Sequence, residues 1–258
     1  MPTDSAEDST GHLARRAVAL ARREGLAALA VAGVRQVYDR AVRPSLPRRT
    51  VLYNGVPVPA ARALDTVVPW HTPEPRPNHE AALIAGIRDH VRPGDDVVVV
   101  GGGSGASSVV AGRQTGPTGS VTTFEGSADE VALTAATIEL SDVSAWTTVT
   151  HAVVGRARSL RGASGDATTV APDGLPDCDV LVLDCEGAEV DILRDGAVSS
   201  RVVIVETHGI YDAPPDRVAD LLANAGYTVR SREIGGRSEA HCREHGIYVL
   251  VAVAEEVP

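Results

Sequence analysis

Between Leu181 and Leu193 the chain reads LVLDCEGAEVDIL. An apolar run meets Asp184, and Glu186, Glu189 and Asp191 follow at once. A strand that must be buried thus ends in negative charge, which costs free energy unless something compensates it. A second such end is VVIVETHG, residues 202–209, where Glu206 and His208 stand two apart. Strand alternation puts these two on one face and Thr207 on the other. Carboxylates and an imidazole gathered at one rim can accept a proton, balance a cationic ligand or hold a metal ion.

A third stretch, VVVVGGGSGASS (97–108), runs an apolar strand into Gly101, Gly103 and Gly105 and then into a helix. Without Cβ atoms the backbone approaches a ligand closely, as in loops that cradle nucleotides, flavins and S-adenosylmethionine alike. Glu125 ends the next strand 20 residues past Gly105, followed by Gly126. An acid there accepts hydrogen bonds from both ribose hydroxyls and disfavours a 2′-phosphate. Glu189 also has an ordinary reading, as an acid in the first turn of a helix. His241 and His245 are spaced as a metal pair but lack a matched third ligand, so no metal site is expected.

The elements that must position these residues follow from periodicity. HEAALIAGIRDHV (79–91) reads as a helix, and VVVVGGG as a buried strand. GSVTTFEG (119–126), WTTVTHAVVG (146–155), CDVLVLDCEG (178–187) and SRVVIVETHG (200–209) are further strands. Helices over 127–142 and 214–226 alternate with them, the second opening on proline and closing on glycine. Alternating strands and helices predict a doubly wound α/β sheet whose ligands bind at the carboxyl ends of the strands. YTVRSREIG and HGIYVLVAVA, with no helix expected between them, predict an antiparallel hairpin at one edge. Residues 12–42 carry apolar positions at helical spacing, with breaks expected near Gly25 or Gly33, and the proline-rich stretch after them predicts short strands or loops. The predicted division is therefore 1–78, a helical and irregular N-terminal extension, and 79–258, the main domain.

Composition bounds the rest. All 24 basic residues are arginine and the formal net charge is −10, as in acidic proteins of a salty cytoplasm. This disfavours nucleic acid as a partner. Residues 11–50 are the exception, with nine arginines against Glu24 and Asp39. They read either as a helix packed on the core or as a cap meeting an anionic surface, such as a membrane face or a lipid-linked sugar. No apolar run is long enough to span a bilayer and the first ten residues do not resemble a secretory signal, so a cytoplasmic location is expected. Cys178, Cys185 and Cys242 form no CxxC pair and read as free thiols.

Together these stretches resemble the FkbM-type S-adenosylmethionine-dependent methyltransferases. LVLDCEGAEVDIL is similar to that family's Asp-x-Glu-Gly-x-Glu segment, TTFEGSADEV to its second-strand region, and HAVVG and VVIVETHG to its third and fifth strand ends. His79-Glu80 resembles a position whose glutamate faces the cofactor. Val99 stands where the family usually has an acid, and Gly-Gly-Gly where it has Gly-Ala-Asn. The resemblance implies a class I methyltransferase (Rossmann-like) fold, a seven-stranded doubly wound sheet with an antiparallel last strand. It implies S-adenosylmethionine held by Glu80, Gly101, Gly103, Gly105, Glu125, Gly126, Ala152 and Asp184. It also implies O-methylation of a sugar, glycolipid or other small metabolite, with Asp184, His208 and Glu206 as the catalytic rim. Two other readings use part of the same pattern. An NAD-dependent oxidoreductase shares the glycines and Glu125, but no Tyr-x-x-x-Lys pair exists in a chain without lysine. A non-catalytic binding module would account for Val99.

Overall fold

The computed structural model describes residues 25–68, 70–71, 73–156, 163–196, 198–236 and 238–255. They divide into two compact units. The first takes the described residues up to Arg49 together with Ala61–Pro73; the second takes Thr50–Ala60 and Glu74 onward.

The second unit is built on an eight-stranded sheet. In chain order its strands are β3 (Asp96–Val100), β4 (Ser120–Glu125), β5 (Thr147–Val154), β6 (Thr168–Val170), β7 (Val180–Leu183), β8 (Val202–Glu206), β9 (Tyr227–Ile234) and β10 (Tyr248–Ala254). Their spatial order is β6-β5-β4-β3-β7-β8-β10-β9. The pairs from β6 across to β8 are parallel, and β10 is antiparallel to both β8 and β9. Strands β3, β7 and β8 are near-continuous Val, Leu and Ile because helices cover both of their faces. Val98, Val100, Leu181, Leu183, Val203 and Val205 pack against α5 (Glu189–Asp195) and α6 (Pro215–Asn224). On the other face α2 (Ala81–His90) comes so close that a Cβ on Gly86 would stand 3.2 Å from Ile204 and Val251. Between them, α3 (Ala106–Thr115) and α4 (Ala128–Leu140) follow β3 and β4. The strand order reverses between β4–β3 and β7, so the carboxyl ends of these strands open one crevice.

Seven of these strands form the class I methyltransferase sheet, and two expectations need correction. The eighth strand, β6, is three residues long, polar and paired only to β5, so no apolar period announces it. As expected, the last two strands pair antiparallel at one edge of the sheet, with β10 between β8 and β9. The segment joining them also folds, as α7 (Glu239–His245), with Ser238 accepting the His241 N–H at its start. Insertion of β10 matters for the rim: Thr207 donates its N–H to Tyr248 O at 2.7 Å and its hydroxyl to Gly246 O at 2.8 Å, pinning the end of β8. The three cysteines are free, and Cys242 is buried.

Strands β1 (Arg48–Tyr53) and β2 (Val56–Arg62) form a two-stranded sheet through which the division between units passes. Asn54 and Gly55 make its turn with φ of 48° and 81°, the paired positive values of a type I′ hairpin. In the first unit, helix α1 spans residues 25–37 without a break at Gly33 and tightens into a π turn, Tyr38–Val42. Leu26, Val31, Val34 and Val37 are exposed along it. The arginines at 15, 16, 22 and 23 lie outside the described residues. No helix among the described residues is long and apolar enough to cross a membrane.

Asp65 holds this unit together. It accepts from Tyr38 Oη at 3.2 Å, Arg43 Nε and Nη2 at 3.0 and 2.8 Å, and the Arg62 N–H at 2.8 Å. Burial opposes its charge, but Arg43 and the Arg62 N–H outweigh burial and hold the carboxyl below its ordinary value. Its stabilisation is therefore present above the unfolded value of about 3.9 and is lost as pH falls through the depressed folded value. Asp65→Asn is expected to destabilise this unit by about 1–3 kcal/mol at neutral pH. The gap should close below about pH 4. Trp70 fluorescence during urea unfolding at several pH values measures it.

Candidate functional site

The carboxyl ends of β3, β4, β5 and β7 line an open cavity of about 730 Å³, counted out into solvent at its mouth. Val100, Phe124, Ala152 and Val154 give it apolar walls, and Gly101, Gly102 and Gly103 its floor. Glu80, Glu125, Glu130, Asp184 and Glu186 add five carboxylates, and no basic side chain lines the cavity among the described residues. Of the residues expected to hold a cofactor, Glu80, Gly101, Gly103, Glu125, Gly126, Ala152 and Asp184 meet here. Gly105 does not. It starts α3 facing α4, where a Cβ would stand 2.9 Å from Thr137 Cβ.

Glu125 is tied to the loop it was expected to serve. Its Oε2 accepts the N–H groups of Gly102 and Gly103, each at 2.9 Å, and its Oε1 accepts Ser127 N–H at 2.8 Å. A carboxylate has about four acceptor sites, so these bonds leave about one for a ligand hydroxyl. Glu125→Ala removes both the acceptor and the brace. It is expected to weaken S-adenosylhomocysteine binding by about 1–3 kcal/mol, measured by calorimetry.

Glu80 enters the cavity from the start of α2 with φ of 48°. His79 Nε2 lies 2.9 Å from Glu80 Oε1 and 3.3 Å from Ser104 Oγ, joining the helix start to the glycine loop. The hairpin tip supports it: the Tyr53 ring centre lies 4.5 Å from that of His79, and Asn54 Nδ2 donates to His79 O. Glu186 has φ of 49°. Left-handed conformations are strained for such residues, and two of the five non-glycine cases among the described residues line this cavity.

Beside the cavity, β7 and β8 bring the rim residues together. The Asp184 N–H donates to Val100 O at 2.8 Å, setting its carboxylate against the glycine strand. His208 Nε2 lies 3.6 Å from Asp184 Oδ1 and 3.7 Å from Glu206 Oε1. His208 Nδ1 lies 2.8 Å from Glu189 Oε1, and since an ionised carboxylate only accepts, Nδ1 carries a proton. Glu189 is fully buried and also accepts the N–H groups of Cys185 and Gly187, at 3.2 and 2.7 Å. Burial works against charge on His208, yet the Glu189 bond and the charges of Asp184, Glu189 and Glu206 raise it to about 9. Burial, then Glu189 and Asp184, push the Cys185 thiol well up, so it is no nucleophile at neutral pH.

Sequence reasoning passed over three residues. Glu189, given a helix-dipole role, is the orienting partner of His208. Glu130, in the first turn of α4, lines the cavity. Phe124, the chain's single phenylalanine, supplies an apolar wall; its place just before Glu125 was the available signal.

The profile of the Methyltransferase FkbM domain matches residues 57–229. No curated protein matches the chain. Among solved structures, Aeropyrum pernix fibrillarin in complex with S-adenosyl-L-methionine aligns at 14% identity and a TM-score of 0.47, over 80% of this chain and 82% of that one. A ribosomal protein L11 methylase from Lactobacillus delbrueckii subsp. bulgaricus aligns at 17% identity and a TM-score of 0.44, over 69% and 79%. TrmN from Thermus thermophilus aligns at 21% identity and a TM-score of 0.44, over 68% of this chain but 48% of that one. At these scores the likenesses carry no argument about the acceptor. The matched family is one of methyltransferases, and the residues present fit S-adenosylmethionine, the cofactor expected from the sequence. A nucleoside finds apolar walls and acceptors, a cationic ligand finds five carboxylates, and a Cβ on Gly103 would have no neighbour within 4 Å, so the loop leaves room there.

Proposed function

The chain belongs to the methyltransferase FkbM family, and from that premise we propose that it methylates an oxygen, a hydroxyl or a carboxylate, of a sugar, glycolipid or other small metabolite. The observation that carries this reading is the double position of Asp184, which lines the cofactor cavity and also stands within 3.6 Å of His208. A methyl acceptor beside the cavity thus meets groups that can take its proton.

Glu125, Gly101 to Gly103 and Phe124 would hold the nucleoside, and Glu80 and Asp184 the amino-acid end. When bound, the cofactor supplies a methyl group activated by its positive sulfur, which leaves as a neutral thioether. The protein's part is mostly alignment, together with removal of the acceptor proton. Asp184 and Glu206 can accept that proton, with the His208 imidazole beside both carboxylates. A carboxylate acceptor needs no base. The five carboxylates of the cavity would repel the pyrophosphate of NAD and the phosphates of a nucleic acid, which favours a small acceptor without phosphate.

Labelled S-adenosylmethionine and a lysate test the reading. Label is expected in a glycan, lipid or small-molecule fraction, resistant to ribonuclease and protease. Label lost on either treatment overturns it.

A further inference from the structure

The cluster beside the cavity has a geometry that proton transfer alone does not explain. One donor atom each from Asp184, Glu206 and His208 lies within 4.8 Å of the others. His208 is 5% exposed, and its Nε2 stands 3.6 Å from Asp184 Oδ1 and 3.7 Å from Glu206 Oε1. Separations of 3.6 and 3.7 Å are too long for hydrogen bonds. They suit donors that share one ion, because donors at about 2.0–2.2 Å from a metal stand about 3–3.6 Å apart.

The second nitrogen of the ring supports the same conclusion. Nδ1–H is held by Glu189, itself fixed by two backbone N–H groups, so the ring cannot turn and Nε2 keeps its direction. A carboxylate bonded to the far nitrogen is the arrangement that orients metal-binding imidazoles. Charge balance agrees. Asp184, Glu189 and Glu206 place three carboxylates around one imidazole, and a divalent cation would add charge of the opposite sign. Arg194, the arginine nearest in sequence to Glu189, is engaged by Asp191 and Asp195 instead.

We propose that Asp184, Glu206 and His208 bind one divalent metal ion through two carboxylate oxygens and the imidazole Nε2. A mixed oxygen and nitrogen donor set suits Mn²⁺ or Zn²⁺ better than Mg²⁺, which prefers oxygen and retains its water. Asp184 is the ligand that also lines the cavity, so the ion lies on the acceptor side, where it would hold an acceptor oxygen and ease loss of its proton. This rests on the oxygen-methyltransferase reading and narrows its acceptors to those able to coordinate a cation, such as a sugar diol or a hydroxy acid.

The test uses the full chain, stripped with chelator, dialysed and titrated with Mn²⁺ by calorimetry and electron paramagnetic resonance. S-adenosylhomocysteine is titrated separately without metal. One Mn²⁺ per chain is expected, with Zn²⁺ competing. His208→Ala and Glu206→Gln should each weaken Mn²⁺ by about tenfold or more. Their S-adenosylhomocysteine affinity should stay within about twofold of wild type, since neither residue lines the cavity. If His208→Ala does not fold, the nearly isosteric Glu206→Gln decides. Failure of the wild-type chain to take up Mn²⁺ or Zn²⁺ stoichiometrically, or variants that bind as tightly as wild type, overturns the site. Loss of S-adenosylhomocysteine binding in the metal-free wild type would instead count against the cofactor cavity.

Discussion

Gly101→Ala is expected to destabilise the second unit by about 3 kcal/mol or more and to abolish S-adenosylhomocysteine binding. Gly101 follows β3 directly, beside the carboxyl end of its parallel neighbour β7, with φ of 96°. A Cβ there would lie 1.9 Å from Asp184 O and 2.7 Å from Asp184 C, both backbone atoms that no rotamer change can move. Backbone hydrogen bonds pin both sides: Gly101 N–H donates to Phe124 O at 2.9 Å, and Asp184 N–H to Val100 O at 2.8 Å. Relief requires the ends of β3 and β7 to part, which also pulls Gly102 and Gly103 away from Glu125. The left-handed φ adds roughly 1–2 kcal/mol and the overpacking roughly 1–3 kcal/mol. Gly103→Ala is the contrast. Its φ of 50° is also positive, but nothing lies within 4 Å of the added Cβ, so the ends of β3 and β7 are undisturbed. Guanidinium unfolding should separate the two variants clearly; a Gly101→Ala protein as stable as wild type would disprove this account of the close approach.

The central strands were legible because β3, β7 and β8 are buried on both faces, and such strands must be apolar from end to end. Their carboxyl ends were legible for the same reason in reverse: Asp184 and Glu206 interrupt runs that had no other cause to stop. What was missed depends on contacts far apart in sequence. Nothing local to Thr168–Val170 calls for a strand; it forms because β5 offers a free edge. Glu189 carries a local explanation as a helix-start acid, and only the approach of β8 shows that it holds His208. The hairpin was legible in principle, since Asn54-Gly55 between Val-Leu-Tyr and Val-Pro-Val is a strong turn signal. The prolines around it left the expectation at short strands or loops, without fixing their pairing.

Glu189 carries the other large effect. Its two oxygens satisfy three donors from separate parts of the rim: Cys185 N–H, Gly187 N–H and His208 Nδ1–H. It is a fully buried charge, so its cost is met only by those bonds. Glu189→Ala strands all three donors and leaves a void, and is expected to cost about 3–5 kcal/mol. Glu189→Gln keeps the volume and one accepting oxygen, but its amide nitrogen meets N–H groups that also need an acceptor. It should retain the fold with about half that loss, because one of the two positions still pairs. The variant also separates scaffold from site. Glu189 does not line the cavity, so S-adenosylhomocysteine should bind Glu189→Gln nearly as it binds wild type, while His208, no longer held by a carboxylate, turns more freely and turnover falls. Urea unfolding, calorimetry and turnover on the same preparation distinguish the cases. Equal losses in cofactor affinity and turnover would mean that Glu189 acts by shaping the Asp184 to Gly187 turn, and unchanged turnover would mean that the orientation of His208 plays no part in the reaction.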